Sequence, residues 1–250
     1  MAVQKVALIT GASRGIGAET AKLFAENGYA VCINYVSNDT SAESVKQEII
    51  QRGGSCILVK ADVSIESDVI RLFETVDAEL GGISVLVNNA AILKQQSRME
   101  DISAERFAKI LRTNVMSCFL CSKEAVKRMS TKHGGMGGTI VNVSSAAAKT
   151  GSPNEYVDYA ASKGAVDTLT RGLALEVAAE GIRVNAVRPG LIYTDMHASG
   201  GESNRVDRLK TKIPLQRGGE AKEVAEAIFW LASDNSSFVT GSFIDTTGGL

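Results

Sequence analysis

The start of the chain sets a buried strand, a glycine-rich turn and a helix in direct succession. Residues 3–10 form an apolar, strand-like run. Gly11, Gly15 and Gly17 follow, and a helical stretch covers residues 18–27. Glycines at this spacing permit a tight turn and a close approach of the backbone to a bound group, while the helix N-terminus offers N–H donors. The stretch predicts a binding site for the pyrophosphate of a dinucleotide. The alternative is an ordinary glycine-rich connection.

Strand-like and helical segments alternate along the rest of the chain, with no internal repeat or linker. Further strands are predicted at residues 29–36, 56–61, 85–91 with its exit loop, 139–143, 182–187 and 243–245. Strands that alternate with helices pack as one parallel sheet. We therefore predict an α/β fold of Rossmann type, with a single doubly wound parallel sheet of about seven strands and helices on both faces. One domain covers residues 1–250, and ligands should bind at the carboxyl ends of the strands.

Charge and composition exclude several classes of partner. The chain has 27 basic and 28 acidic residues and a net charge of −1, so we expect no nucleic acid and no membrane surface as partner. No apolar run reaches the length of a membrane span. Met1–Lys5 runs straight into the first strand, which leaves no room for a signal peptide and predicts a cytoplasmic protein.

Cys118 and Cys121 form a CxxC in an apolar helical run. A buried reduced pair is favoured over a redox pair or a zinc half-site, and no metal site is expected.

The ends of the second and third strands bear on the choice of dinucleotide. Ser37 follows the second strand, and no acid occurs there before Asp39. A carboxylate at this point would accept from a ribose 2′-hydroxyl and favour NAD, whereas Arg14 and a hydroxyl suit a 2′-phosphate. NADP is therefore predicted; the alternative is a solvated Arg14 and acceptance of NAD as well. Asp62, followed by Val63, could meet the adenine amino group or act as the N-cap of the next helix.

Tyr159 and Lys163 lie four residues apart in a helical stretch over residues 158–180 and so share one face of the helix. A free phenol has a pKa of about 10, and an ammonium group about 4 Å away is worth roughly 4 kcal/mol at an effective dielectric near 20, or about three pKa units. The pair predicts a phenol acidified for general acid–base catalysis. The alternative is a surface pair on an amphipathic helix. Asn114, inside a helical region over residues 103–133, needs a hydrogen-bond partner if it is buried.

In this order and spacing the motifs resemble those of the short-chain dehydrogenase/reductase family over essentially the whole chain. The motifs are Thr10-Gly-x-x-x-Gly-x-Gly17, Asn88-Asn-Ala90, Ser145, Tyr159-x-x-x-Lys163 and Pro189-Gly190. The chain departs from the family at Ala91, where glycine is usual, and has one extra residue between Ser145 and Tyr159 compared with many carrier-protein reductases. The closest subgroups are the sugar-dehydrogenase-like and 3-oxoacyl-reductase-like members.

The resemblance implies a role for each residue of the catalytic set. Tyr159 would exchange a proton with the substrate oxygen, and Ser145 would hydrogen-bond the same oxygen. Lys163 would lower the pKa of the Tyr159 phenol and bind the nicotinamide ribose. Asn114 would hold a water molecule that relays protons. The residues expected at the cofactor, from the motifs and the reasoning above, are Gly11, Ser13, Arg14, Gly15, Ile16, Gly17, Ser37, Asp62, Val63, Asn89, Ala90, Tyr159, Lys163, Pro189, Gly190, Ile192 and Thr194.

These features predict an NADP-dependent oxidoreductase that transfers a hydride between nicotinamide and a small secondary alcohol or ketone. Residues 191–213 are polar and predict a substrate lid. His197 in this segment could contact substrate, but an exposed loop residue is the favoured interpretation. Reduction of a 3-oxoacyl thioester and oxidation of a sugar at C1 stay open as alternatives. If the thioester is presented on a carrier protein, the candidates for binding that protein are Arg98, Arg128 and Lys132. Glu180 counts against binding of a carrier protein. A non-catalytic cofactor-binding regulator is the least favoured. The resemblance also implies a homotetramer.

Overall fold

A seven-stranded parallel sheet forms the centre of the structure, a computed structural model that describes residues 4–250. The strands are β1 (Val6–Ile9), β2 (Ala30–Tyr35), β3 (Ser55–Lys60), β4 (Val85–Asn88), β5 (Gly138–Val143), β6 (Ile182–Pro189), β7 (Ile192–Tyr193), β8 (Gly219–Glu220) and β9 (Phe243–Thr246). The sheet has the order β3-β2-β1-β4-β5-β6-β9, and β7 pairs with β8 apart from it. Residues 1–3, which carry part of the predicted first strand and of the expected leaderless N-terminus, lie outside the described residues.

Helices cover both faces of the sheet. They are α1 (Gly15–Glu26), α2 (Asp39–Gln51), α3 (Glu66–Glu79), α4 (Ala104–Leu111), α5 (Ser117–Met129), α6 (Ala147–Thr150), α7 (Val157–Val177), α8 (Met196–Ser199), α9 (Arg205–Leu209) and α10 (Ala221–Ala232). None of the helices within residues 4–250 combines the length and apolarity that a membrane crossing requires.

Two separate cores follow from the alternation of side chains along each strand. On β1, Leu8 points to the face that holds α3, α5 and α7 and belongs to a cluster with Phe73. Its neighbour Ile9 points to the face that holds α1, α2 and α10 and belongs to a cluster with Phe24. Because a parallel sheet needs cover on both faces, its strands are apolar throughout rather than alternating. The predicted doubly wound α/β fold with about seven strands is confirmed.

The region predicted as helical over residues 103–133 is helical through most of its length, but its pitch changes within it. A widened π turn at Arg112–Met116 separates α4 from α5, and a 3₁₀ turn at Thr131–His133 follows Met129. Asn114 lies in the π turn, buried, and its amide hydrogen-bonds both backbone groups of Ile92. The sequence did not predict the π turn, because the hydrogen bonds between Asn114 and Ile92 are tertiary contacts that helical periodicity does not reveal.

The strand order reverses at β1, which pairs with β2 on one side and β4 on the other. The connections from β1 and β4 therefore leave the sheet in opposite directions and open a crevice at its carboxyl edge. The exits of β1, β4, β5 and β6 all meet this crevice, so the glycine turn, Asn89, Ser145 and Pro189 come together although they are far apart in the chain.

Candidate active site

A cavity of about 320 Å³ lies at the carboxyl ends of β4, β5 and β6. The predicted residues that line it are Ile16, Asn89, Ser145, Tyr159, Lys163, Pro189, Gly190, Ile192 and Thr194. The other predicted residues do not line the cavity. The adjoining glycine turn contains Gly11, Ser13, Arg14, Gly15 and Gly17, and Ala90 lies behind this turn. Ser37 follows β2, Asp62 and Val63 follow β3, and Asn114 lies in the π turn. One edge of the sheet thus gathers the whole predicted set, but only nine of its members face the cavity.

The glycine turn leaves the N-terminus of α1 open to an anion. Gly11 and Gly15 have φ angles of 63° and 56°, which side chains rarely adopt. A Cβ on Gly17 would come within 2.5 Å of the Asn89 amide nitrogen. No side chain caps α1, and its first turn holds no acid, so the N–H groups at this end point outward with the positive end of the helix dipole. The turn therefore fits a pyrophosphate, which supports binding of a dinucleotide here.

Asn89 fixes the exit of β4 against the glycine turn. Its amide donates to the carbonyl oxygens of Thr10 and Gly11 at 2.9 and 3.1 Å. In return the Thr10 hydroxyl accepts from the backbone N–H groups of Asn89 and Ala90, both at 3.0 Å. These four bonds hold two loops from neighbouring strands at one spacing.

The end of the crevice beside β2 carries exposed charge. Asp39 accepts from Tyr35 at 2.9 Å and pairs with Lys60 at 2.9 Å, so this carboxylate already has partners. Arg14 is 60% exposed in its side chain and lies 4.0 Å from Asp195. Asp62 does not cap the next helix: α3 begins at Glu66, and Asp62 instead accepts from the Ser64 N–H at 2.9 Å. The N-cap interpretation of Asp62 is therefore wrong, because its bond closes a turn two residues on.

Tyr159 and Lys163 lie together in α7, but their ionisation differs from the expectation. The Lys163 ammonium donates to the Val143 carbonyl at 2.7 Å and lies 5.6 Å from the centre of the Tyr159 ring. Burial lowers the pKa of Lys163 to about 8 and raises the pKa of Tyr159 to about 12, and hydrogen bonding with Ser145 acts against the latter rise. The expected acidification of the phenol by Lys163 is absent from this structure: burial raises the phenol pKa, and Ser145 rather than Lys163 is the group that lowers it.

Two serines end β5 and face different neighbours. The Ser144 hydroxyl donates to Asp167 at 2.6 Å, away from the substrate side, whereas the Ser145 hydroxyl accepts from the Ala147 N–H at 3.1 Å and interacts with Tyr159. Only Ser145 is therefore set toward the phenol. Asn114 donates to the Ser162 hydroxyl at 3.0 Å, one residue before Lys163, and so fixes the face of α7 that carries the pair.

The segment over residues 191–213 covers one side of the cavity and supplies residues that the motifs did not reveal. His197 lines the cavity half-buried, with its Nε2 at 3.0 Å from the Ile192 carbonyl oxygen, and burial lowers its pKa. Its interpretation as an exposed loop residue was wrong. Arg205 pairs with Glu155 at 2.5 Å and ties the segment to the loop before α7. Further lining residues that the motifs did not reveal include Leu93, Tyr156, Met196 and Leu209. Met196 and Leu209 lie within the predicted lid, and Tyr156 precedes Tyr159 by three residues.

Two of the three candidate carrier-protein residues lie away from the cavity; the third, Arg98, follows β4 and donates to Asn154, in the loop before α7, at 3.2 Å. Arg128 pairs with Asp77 at 2.7 Å and with Glu124 at 2.6 Å, and its guanidinium lies over the ring of Phe73. Arg128 and Lys132 belong to the end of α5 and the turn before β5, at the amino edge of the sheet. They therefore cannot guide a ligand into this cavity from within the same chain.

Comparison with known proteins identifies the family. A family model described as enoyl-(acyl carrier protein) reductase matches residues 11–250. The uncharacterized oxidoreductase YgfF of Escherichia coli (strain K12) is 59% identical over 244 residues, which cover 98% of this chain and 99% of that protein. A crystal structure of a short-chain type dehydrogenase/reductase from Mycobacterium marinum superposes with a TM-score of 0.91 at 36% identity, covering 98% of this chain and 95% of that chain. The chain is a short-chain dehydrogenase/reductase. The predicted resemblance is confirmed.

Other members of the short-chain dehydrogenase/reductase family are similar over the full length. The 3-oxoacyl-[acyl-carrier-protein] reductase FabG of Staphylococcus aureus (strain Mu50 / ATCC 700699) is 35% identical over 250 residues, or 100% of this chain and 99% of that protein. The protein is therefore an oxidoreductase that acts on CH–OH or C=O groups, as predicted, and belongs to a family whose members generally bind NAD(P)H.

Proposed function

We propose that this short-chain dehydrogenase/reductase uses NADP to interconvert a small secondary alcohol and its ketone. The observation that carries the proposal is the convergence of Tyr159, Lys163 and Ser145 on one cavity that Ile16 of the glycine turn and Pro189–Gly190 also border. A bound nicotinamide supplies the hydride, and the protein supplies position and a proton.

The reducing direction uses the side chains as they stand. With a pKa of about 12, Tyr159 is protonated at pH 7 and can donate to a carbonyl oxygen that the Ser145 hydroxyl also contacts. The oxidising direction needs a phenolate, and positive charge must stabilise it. Lys163, with a pKa of about 8, supplies an ammonium at pH 7, and the oxidised nicotinamide adds a second positive charge. Asn114, beside Ser162, would hold the water that passes protons between Lys163 and solvent.

NADP rather than NAD is supported by the charge around the adenosine end. The Asp39 carboxylate is held by Lys60 and Tyr35, while the Arg14 guanidinium is largely exposed beside the glycine turn. Arg14 and Ser37 would bind the 2′-phosphate, with Asp62 and Val63 at the adenine. We expect Arg14→Ala to raise the KM for NADPH about 10- to 100-fold through loss of a charge-assisted bond.

The KM for NADH should change by less than about threefold in the same variant, because NADH lacks the phosphate that Arg14 binds. Initial rates with both cofactors measure this, with Arg98→Ala as the matched control. Equal effects on NADPH and NADH would contradict the assignment of Arg14.

Reduction of a 3-oxoacyl thioester is the second candidate. It is supported by the similarity to the 3-oxoacyl-[acyl-carrier-protein] reductase of Staphylococcus aureus and to the enoyl-(acyl carrier protein) reductase family model. The ion pairs of Arg128 weigh against a carrier protein as the bound form.

The four cysteines are free thiols, which supports the cytoplasmic location that we also propose.

An initial-rate screen tests these alternatives together. NADPH would be offered with apolar ketones and with 3-oxoacyl thioesters of coenzyme A, and NADP⁺ with secondary alcohols and aldoses. Turnover of ketones that is lost in Tyr159→Phe supports the proposal. Turnover confined to thioesters or to aldoses would replace it with the corresponding alternative, and cofactor binding without turnover of any class would favour the regulator.

A further inference from the structure

A cluster of charged side chains lies directly behind the catalytic residues. Its centre is Asp167, one helical turn after Lys163 in α7. The Ser144 hydroxyl donates to one carboxylate oxygen of Asp167 at 2.6 Å. Arg188 donates to the other through Nε and a terminal nitrogen, at 2.9 and 2.8 Å. The Asp167 and Arg188 side chains are only 15% and 14% exposed, so solvent screens the pair weakly.

Each partner of Asp167 directly precedes a residue of the site. Ser144 precedes Ser145, and its hydroxyl also lies 3.3 Å from the Lys163 carbonyl oxygen. Arg188 precedes Pro189–Gly190 and is itself held from behind, since its guanidinium lies 3.9 Å from the centre of the Phe243 ring. A single carboxylate thus joins the ends of β5 and β6 to the helix that carries the acid–base pair.

We propose that Asp167 is a positioning residue that fixes Ser145, Lys163 and Pro189–Gly190 relative to one another and whose negative charge supports the ammonium form of Lys163. The inference deepens the proposed function and rests on it, because that function makes Lys163 and Tyr159 the acid–base pair. The motifs did not assign Asp167, which in the sequence is one of many helical acids.

The surroundings of Lys163 leave Asp167 as the negative group that acts on it. The Lys163 ammonium faces Tyr159 and Asp167 of α7, the Cys118 thiol of α5 and the Val143 carbonyl of β5. Arg188 of β6 lies behind Asp167. Burial raises the pKa of Cys118 to about 12, so that thiol is neutral at pH 7. Removal of the Asp167 charge would also leave Arg188 with only the Asp245 carboxylate, at 3.5 Å on its far side, and both changes disfavour the Lys163 ammonium.

The test measures the titration of Lys163 without any substrate. In full-length protein labelled with ¹³C at the lysine ε carbons, the Lys163 signal is assigned by its loss in Lys163→Met and followed by NMR from pH 6 to 10. We expect Asp167→Asn to lower its midpoint by about one pH unit. The charge-balanced double variant Asp167→Asn with Arg188→Gln should restore the midpoint. Asp245→Asn, which removes a carboxylate from the far side of Arg188, is the matched control and should leave it unchanged.

A second arm measures positioning by turnover of the best ketone from the screen. The double variant should lose about 10-fold in kcat despite its restored midpoint, because geometry is lost while charge balance is kept. An unchanged Lys163 midpoint in folded Asp167→Asn would overturn the electrostatic role, and full turnover in the double variant would overturn the positioning role. Should Asp167→Asn fail to fold, Arg188→Gln alone tests the electrostatic role: it leaves the Asp167 carboxylate without its cation and should raise the Lys163 midpoint, and an unchanged midpoint would overturn that role. The double variant then tests the positioning role. A protein without turnover on any substrate would refute the proposed function while the NMR arm could still be read.

Discussion

Lys163 and Tyr159 show how burial sets the chemistry of single side chains. Each lies in a place where its charged form has lost water, so the ammonium and the phenolate are both disfavoured: the pKa of Lys163 falls to about 8 and that of Tyr159 rises to about 12. The distance between the two side chains reveals only the attraction between a phenolate and an ammonium group. Burial adds a cost of desolvation for both charged forms. In the proposed mechanism the phenol therefore needs the positive charge of the oxidised nicotinamide, besides that of Lys163, before it can act as a base.

Tyr159→Phe should abolish turnover and leave cofactor binding intact. The variant removes only the hydroxyl, so the ring keeps its packing while the proton donor is lost, and we expect kcat to fall by about 10³-fold or more. The Kd for NADP⁺, measured by calorimetry, should change by less than about threefold. Tyr35→Phe is the matched control, since it removes a phenol that bonds Asp39 outside the cavity. Unchanged turnover in Tyr159→Phe would remove the assigned acid.

Lys163→Met should stabilise the fold at neutral pH while it abolishes activity. Because the pKa of Lys163 is lowered on folding, the folded state binds fewer protons than the unfolded state between about pH 8 and pH 10.5, and the free energy of unfolding of the wild type rises with pH there. The variant lacks this penalty and should gain about 1–3 kcal/mol at pH 7, an advantage that shrinks by pH 10. Urea unfolding at both pH values measures it, with exposed Lys109→Met as control. A constant difference would contradict the depressed pKa.

At the scale of elements, α7 is held at its first turn by α4. The Arg106 guanidinium of α4 donates to Asp158 at 2.7 Å, and Asp158 in turn accepts from the Tyr159 N–H at 2.9 Å. The Asp158 side chain is 1% exposed. The π turn just after α4 holds the next stretch of α7 through Asn114 and Ser162. Two contacts from one interrupted helix therefore define where the catalytic turn begins and how it is rotated.

Arg106→Leu tests the first of these contacts. Removal of one partner leaves the buried Asp158 carboxylate without its cation, so we expect the free energy of unfolding to fall by about 2–4 kcal/mol. Arg98→Leu breaks the exposed pair with Glu100 and should cost less than about 1 kcal/mol. Chemical denaturation of both variants gives the comparison. Equal losses would mean that burial of the Arg106–Asp158 pair does not matter to stability.

At the scale of the whole molecule, apolar side chains remain on the surface where α4 and α5 meet. Phe107, Met116 and Phe119 are 41%, 46% and 48% exposed. Large apolar side chains grouped on one face are typical of protein–protein contacts. The patch supports the homotetramer that the family resemblance implies, in which these helices would pack against a second copy.

Phe119→Glu should reduce the oligomer. A charge in the middle of a buried apolar contact is costly, so the variant should sediment as a smaller particle than the wild type, for which we expect four chains. Sedimentation velocity measures both, and Ile65→Glu, at a position that is also 48% exposed but outside the patch, is the control. A wild type that sediments as a single chain would contradict the tetramer.

The sequence by itself determined the class of fold and the edge of the sheet at which the candidate site lies. Apolar runs alternating with helical ones permit few arrangements, and in a parallel sheet every strand exit reaches the same edge, so Gly11–Gly17, Asn89, Ser145 and Pro189–Thr194 could be placed together without coordinates. The amphipathic pattern of residues 221–232 alone predicts a helix with the bounds that α10 has, because the pattern and the helix ends are local properties.

Tertiary structure alone decided what depends on contacts between distant segments. The π turn at Asn114, the placement of His197 in the cavity, and the bonds of Asp167 to Ser144 and Arg188 each join residues that no local pattern relates. The ionisation of Lys163 and Tyr159 also belongs here, because desolvation is a property of everything packed around a group rather than of its neighbours in sequence.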